Sequence, residues 1–323
     1  MTGKPPSPPS KPQVIRPSSV RSGTLGRVRR SLEYRPAMAV YAVLLVQSLM
    51  ASGTHIVAKI IVREVDAFTL TLVRSVIAAV AMGLILLIRG GPIRLLREER
   101  KMVLLLSFLA IPVNQFLFLF GMRFTTASNA ALLYSTTPIL VLVFSRLFLG
   151  ERLTGVKVVG VVLGFVGVIT VVFERGVSAS MEYLLGNILI GFAVMAWGLY
   201  TVFGRRLIIR YGAVEASSLT LIIGTVMFIP MGIVPALRFP FETLSPSSWM
   251  AILYLALITS VLSYFLWYFA LGRAEAGKVA LFANLQPILT TILAVLLLGQ
   301  EVTVAFVIGG IIALAGVVIA QFG

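Results

Sequence analysis

The sequence contains no cysteine, a single histidine and only twelve acidic residues. Without cysteine there is no disulfide, no thiolate nucleophile and no Cys metal site. His55, the lone histidine, cannot build a His metal cluster. No pattern calls for a cofactor. Embedded acids, His and Ser/Lys dyads form only a scattered set, so the chain does not read as an enzyme. Residues 1–36 lack the apolar core of a signal peptide. They are rich in Pro, Ser and basic residues, with Glu33 as the only acid. This composition predicts a disordered basic cytoplasmic tail rather than an organellar targeting peptide.

Apolar residues fill the rest. Hydrophobic residues make up 59% of the chain and mean hydropathy is +1.01. A soluble fold of this size could not hide that surface. Apolar runs of about 20 residues recur, the length that crosses a hydrocarbon core of ~30 Å. Ten spans are expected, near 38–60, 67–88, 101–121, 126–149, 155–173, 184–204, 214–235, 248–271, 278–299 and 302–321. The predicted fold is all-α and integral to the membrane, with ten transmembrane helices.

The net charge of +15 would suggest nucleic acid in a soluble protein. Here the basic residues lie in the tail and in short loops, so orientation explains them better and no nucleic acid is expected. With the N-terminus in the cytoplasm, 20 Lys and Arg fall on that side. Only Arg63, Arg123, Arg175 and Arg238 fall outside. Lys59, Arg74 and Arg146 lie in or beside spans. This bias predicts a multi-pass protein of the inner cell membrane with both termini cytoplasmic.

The chain also repeats itself. Residues 124–173 slide onto 273–322 without gaps, with 15 identities in 50. Pro138-Ile139-Leu140 falls on Pro287-Ile288-Leu289, and Leu149-Gly150 on Leu298-Gly299. Thr154 matches Thr303, Gly160 matches Gly309, and Gly167-Val168 matches Gly316-Val317. The expected units are 37–175 and 183–322, five helices each. An odd number of spans per copy forces opposite orientations, a signature of secondary transporters. Loop charge diverges accordingly: Arg152 and Lys157 become Glu301 and Phe306.

These features carry a family resemblance. Its residues are Ser52-Gly53-Thr54-His55-Ile56-Val57-Ala58-Lys59, Leu72-Val73-Arg74, Ala127-Ser128-Asn129-Ala130-Ala131-Leu132 through Pro138, Leu149-Gly150-Glu151, and the Gly160, Gly164, Gly167 ladder. In the second copy, Ala274-Glu275-Ala276-Gly277-Lys278-Val279-Ala280 runs through Pro287 to Leu298-Gly299. Over 38–322 the chain resembles the drug/metabolite transporter superfamily, in particular the EamA-type ten-helix transporters. It departs at 299–301, where Gly-Gln-Glu replaces Gly-Glu. The resemblance implies two five-helix bundles around a pathway that opens alternately to each side. It also implies small-molecule substrates, often amino acids or related metabolites.

Several residues stand out as candidates. Pro138 and Pro287 occupy equivalent places and should break their helices, as paired hinges or as static kinks. Gly160, Gly164 and Gly167 share a face, with Gly309, Ala313 and Gly316 as counterparts, and suit close packing between the copies or between protomers. No acid falls mid-span, which argues against exchange through an embedded carboxylate. Facilitated diffusion, or coupling independent of such an acid, is expected instead. Lys59, Arg74 and Arg146 either snorkel or attract an anion, Arg74 being the deepest. His55 lies one turn before Lys59.

Polar and aromatic residues inside spans should face the bundle interior. Gln47, His55, Arg74, Asn114, Gln115, Tyr134, Trp197, Tyr200, Tyr264, Trp267, Asn284 and Gln286 are the candidate substrate-binding set. The expected function is a secondary transporter, an exporter of small polar metabolites such as amino acids. The alternatives are an exchanger of organic anions or phosphorylated metabolites, with Arg74 and Lys59 as ligands, and a non-transporting scaffold or sensor. The expected partners are a small-molecule substrate and the lipid bilayer, in a monomer or homodimer.

Overall fold

The computed structural model describes residues 22–89, 97–125, 127–152, 154–174, 181–298 and 304–322. Residues 1–21 of the expected tail, Arg94, Arg175 and the turn at 299–301 lie outside them. The chain divides after Ala39, and residues 40–323 form one compact unit that holds the cavities and the packing between the copies.

Besides a 3₁₀ turn at Phe241–Thr243, the described residues form ten helical segments. They are α1 (Ser22–Ile61), α2 (Ala67–Ile88), α3 (Arg97–Met122), α4 (127–149), α5 (Gly155–Glu174), α6 (Met181–Tyr211), α7 (Ala213–Arg238), α8 (Pro246–Leu271), α9 (276–298) and α10 (Val304–Gln321). Seven are long and apolar enough to cross a membrane, and three shorter apolar stretches fall in α4, α5 and α10. The expected ten-helix membrane architecture is what the chain forms.

Two boundaries differ from expectation. Residues 22–36, expected as disordered tail, are helical. The run from Arg27 to Arg35 has neither Gly nor Pro and is made mostly of good helix formers, which outweighs its polarity. Helix α6 runs seven residues past the expected end at 204, to Tyr211. Arg205, Arg206 and Arg210 continue the helix until Gly212, whose φ of 91° stops it.

Local chemistry sets the other ends. Asp66 accepts from the amides of Phe68 and Thr69, each at 3.0 Å, and so caps α2. Such a cap stabilises by about 1 kcal/mol. Ser245 caps α8, with Pro246 in the first turn where its missing N–H costs nothing. Gly150 closes α4 in the left-handed conformation, φ 69°.

The two copies meet through equivalent helices. α5 packs along α10, and α2 along α7. A Cβ on Gly160 would lie 2.7 Å from the Gly316 carbonyl oxygen, and one on Gly167 would strike the Gly309 carbonyl. Shifting each residue by the 149-residue offset exchanges these two contacts. The interface is therefore self-complementary, and a pseudo-two-fold axis relates its halves. Residue numbers rise along α5 as they fall along α10, so the helices are antiparallel and the axis is perpendicular to them. For helices that cross a bilayer, that axis lies in the membrane plane, and the repeats are inverted.

The second pair obeys the same rule. Gly232 lies against Leu72, Thr225 Oγ1 donates to Ser75 O at 3.1 Å, and Ser218 Oγ donates to Met82 Sδ at 3.3 Å. The glycine ladder thus joins the two copies within one chain.

Candidate functional site

A central cavity lies between the copies. It encloses about 530 Å³ of atom-free space, its mouth included. α1 contributes Gln47, Ala51, Thr54 and His55, and α2 contributes Arg74. α3 adds Asn114, Gln115 and Phe118, and α4 adds Tyr134. From the second copy come Trp197 of α6, Thr259, Ser263 and Tyr264 of α8, and Gln286 of α9.

Backbone irregularity aims these side chains. Leu109–Gln115 in α3 and Tyr254–Ser263 in α8 are wound as π-helix. Pro112 lies inside the first stretch and cannot complete an α-helical ladder. π turns carry i→i+5 bonds and gather at functional sites. The two stretches overlap when shifted by the repeat offset, and both feed the cavity wall.

The proline breaks are paired as well. α4 is interrupted at Thr136, two residues before Pro138, and α9 is wound as 3₁₀ helix over Leu281–Asn284 before Pro287. The carbonyl freed by Pro138 is that of Tyr134, and Thr137 Oγ1 donates to it at 2.5 Å. Near the second break, Ser48 and Ser52 of α1 reach across from the first copy and donate to Phe282 O at 3.2 Å and Gln286 O at 3.1 Å. In a bilayer, freed backbone groups need such protein partners.

Hydrogen bonds tie the walls together. Gln47 Nε2 donates to Ser263 Oγ at 3.1 Å. Asn114 donates to Tyr134 OH at 2.9 Å and Ala193 O at 2.8 Å, and accepts from Tyr264 OH at 3.1 Å. His55 Nε2 lies 3.2 Å from Gln286 Oε1. The His55 ring meets Phe118 and Tyr134 edge-on, each with centroids 5.5 Å apart. Thr54 and Thr259 hydroxyls are 2.7 Å apart.

Arg74 is the unusual member. Its side chain is 1% exposed. Nη2 donates to Ser260 Oγ at 2.8 Å, while Nε has no partner. Among the described residues no carboxylate pairs with it. A buried guanidinium without a counter-charge costs several kcal/mol. Gln47 Oε1 and His55 Nδ1 in the same wall are likewise buried and unpartnered.

Three expected residues sit elsewhere. Tyr200 and Trp267 lie one turn beyond Trp197 and Tyr264 in α6 and α8, toward the other end of the helices. They form a closed aromatic layer: Tyr200 stacks on Tyr268 with centroids 5.0 Å apart, and Trp197 meets Trp267 at 5.2 Å. Trp267 Nε1 donates to Thr201 Oγ1 at 3.1 Å, and Tyr200 OH lies 3.0 Å from Thr220 Oγ1. Asn284 is fully buried against Gly164, and both its amide atoms lack partners. Conversely, Ala51, Phe118, Thr259 and Ser263 line the cavity without standing out in the sequence, and Thr54 stands out only as part of the family motif.

The other cations divide. Lys59 does not line the cavity, and its Nζ donates to Met122 O at 2.8 Å and Thr125 O at 2.5 Å. The carbonyls at the end of α3 and in the turn after it thus take up two of its three N–H donors. Arg146 is exposed. Among the described residues no three His, Cys, Asp or Glu gather to hold a metal.

Past the aromatic layer, ion pairs close one end. They are Lys157–Glu275 at 2.6 Å, Arg205–Glu151 at 2.5 Å, Arg210–Glu99 at 2.6 Å and Arg89–Glu215 at 3.9 Å. Each joins one copy to the other. The carboxyl of Glu275 is held below its ordinary range, first by its hydrogen bond from Lys157.

These features define a class: a multi-pass helical membrane carrier with inverted repeats, a buried polar cavity at their seam, and one sealed end. The profile of the EamA-like transporter family matches residues 38–173 and 184–322. The chain belongs to that family and is a transporter. It is 31% identical over 274 residues to an uncharacterized transporter of Archaeoglobus fulgidus, spanning 83% of this chain and 92% of that one. It is 27% identical to the uncharacterized transporter YetK of Bacillus subtilis, covering 85% and 86%. A probable terminal-alkyne amino-acid exporter of Streptantibioticus cattleyicolor is 25% identical over 253 residues, covering 77% and 82%. A solved crystal structure shares the fold with a TM-score of 0.71 at 20% identity, covering 88% of this chain and 96% of that one.

Proposed function

We propose that the protein exports small carboxylate-bearing metabolites, amino acids foremost, by alternating access. The observation that carries this reading is Arg74, a buried guanidinium that lines the cavity with Nε unpartnered. A substrate carboxylate supplies the missing counter-charge through charge-assisted bonds. Gln47 Oε1, a buried acceptor without a donor, suits the substrate ammonium. Trp197, Tyr264 and Phe118 offer apolar surface for a side chain. Export is favoured by the relative named as an amino-acid exporter.

The sealed end is the cytoplasmic one on the distribution of basic residues, and both termini lie there. Transport then requires the four ion pairs and the aromatic layer to part while the opposite end closes. The paired breaks before Pro138 and Pro287 are the natural hinges.

Counterflow in proteoliposomes tests this. Saturable exchange of radiolabelled amino acids is expected, lost in Arg74→Gln and partly kept in Arg74→Lys. Equal transport of amino-acid methyl esters, which lack the carboxylate, would overturn it. A second reading is favoured by one observation: among the described residues no carboxylate lines the cavity to meet an ammonium. In that case phosphate esters or dicarboxylates, and not amino acids, drive the counterflow.

A further inference from the structure

A second cavity lies on the sealed side, between the start of α3, the end of α4 and the end of α6. Met102, Phe148, Leu149, Phe203 and Ile209 form its walls, and Arg205 and Arg206 also line it. It holds about 900 Å³ of atom-free space, its open side included.

Its surroundings narrow the occupant. Beside it Leu147, Phe148 and Ile209 are 68%, 54% and 72% exposed on membrane helices. Such surface belongs against acyl chains, so the groove opens onto lipid rather than onto the substrate cavity. The two guanidinium groups are not equivalent. Arg205 is engaged by Glu151 at 2.5 Å. Arg206 is exposed, and among the described residues no carboxylate pairs with it.

We propose that this groove is a binding site for an anionic phospholipid. An acyl chain lies along Phe148, Phe203 and Ile209, and the phosphodiester is held by Arg206. Guanidinium matches phosphate oxygens in planar, paired bonds. Basic pockets between membrane helices favour anionic headgroups. A zwitterionic lipid would add a cation beside Arg205 and Arg206, whereas phosphatidylglycerol adds none. A soluble phosphate ester would leave the apolar wall empty. The site also spans the seam between the copies, because α3 and α4 belong to the first and α6 to the second. Bound lipid therefore braces the sealed arrangement next to the Glu151–Arg205 pair.

The test uses the full chain in mild detergent, offered equal amounts of phosphatidylglycerol and phosphatidylcholine with identical acyl chains. Retained lipid is counted by mass spectrometry after washing. The wild type should keep several-fold more phosphatidylglycerol. Arg206→Gln should bring the ratio close to one. Arg238→Gln, the same charge change on an exposed residue at the opposite end, should leave it unchanged. Glycerol 3-phosphate should not displace the retained lipid. Equal retention of both lipids by the wild type, an unaltered ratio in Arg206→Gln, or displacement by glycerol 3-phosphate overturns the proposal.

Discussion

Gly160 and Gly316 meet backbone to backbone, so that a Cβ on Gly160 would fall 2.7 Å from the Gly316 carbonyl oxygen and 2.6 Å from Ala320 Cβ. Neither neighbour is the free end of a flexible side chain, and the helices must separate to admit a larger residue. Gly160→Val should therefore destabilise the fold by about 1–3 kcal/mol, the ordinary cost of overpacking. Gly309→Val, its symmetry mate across the α5–α10 seam, should behave alike. Gly83→Ala has open space within 4 Å and serves as the neutral control. Thermal denaturation of detergent-purified variants checks this; equal melting of Gly160→Val and Gly83→Ala would contradict the two-fold packing.

The sealed end rests in part on Glu275. Its carboxyl is held below its ordinary value by the bond from Lys157. A depressed carboxyl contributes stability above its unfolded pKa and loses it only as pH falls through the folded value. The Lys157–Glu275 pair is therefore intact across the neutral range and fails only in acid. Glu275→Gln should favour opening of this end by no more than about 1 kcal/mol, since Glu275 is half-exposed. The offset in transport rate from wild type should stay constant between pH 6 and pH 8. A pH-dependent offset in that range would show that another group controls the seal.

Much of this architecture was legible in the sequence because bilayer physics leaves few choices. Apolar runs marked the ten helices, and the shared Pro and Gly punctuation marked the repeat. Nine of the twelve candidate binding residues line the cavity, since an amide or guanidinium inside a span must avoid lipid. Thr259 and Ser263 escaped notice because they lie in the π-wound part of α8, where a 3.6-residue period misjudges the facing side. Tyr200 and Trp267 lie one turn away from the cavity. They share a helix face with Trp197 and Tyr264, and periodicity cannot tell which layer borders empty space. The ion pairs of the sealed end were hidden because each joins residues more than 50 positions apart.

Absence of cysteine makes the cavity directly testable. Thr259 lines the cavity and is partly exposed, whereas Thr201 lies behind the aromatic layer with 0% exposure. In single-cysteine variants, Thr259→Cys should react with a membrane-impermeant thiol reagent, and substrate should protect it. Thr201→Cys should stay unreactive until Glu275→Gln or Glu151→Gln loosens the sealed end. Labelling is read by mass shift. Rapid modification of Thr201→Cys in the otherwise unaltered protein would show that the aromatic layer is no barrier.

Lys59 and Arg74 separate structure from recognition. Both are cations in the same half of the bundle, yet Lys59 spends its ammonium on Met122 O and Thr125 O. Arg74 gives one bond to Ser260 and keeps Nε unpartnered in the cavity wall. Lys59→Gln should lose charge-assisted bonds worth about 1.5–3 kcal/mol and lower the melting temperature. Its substrate affinity should change little once the protein is folded. Arg74→Gln removes an uncompensated buried charge, so its stability should hold or rise while affinity for carboxylate substrates collapses. Thermal denaturation with and without substrate reads both effects in one experiment. Substrate-dependent stabilisation should persist in Lys59→Gln and vanish in Arg74→Gln. The reverse pattern would move recognition from the cavity to the end of α1.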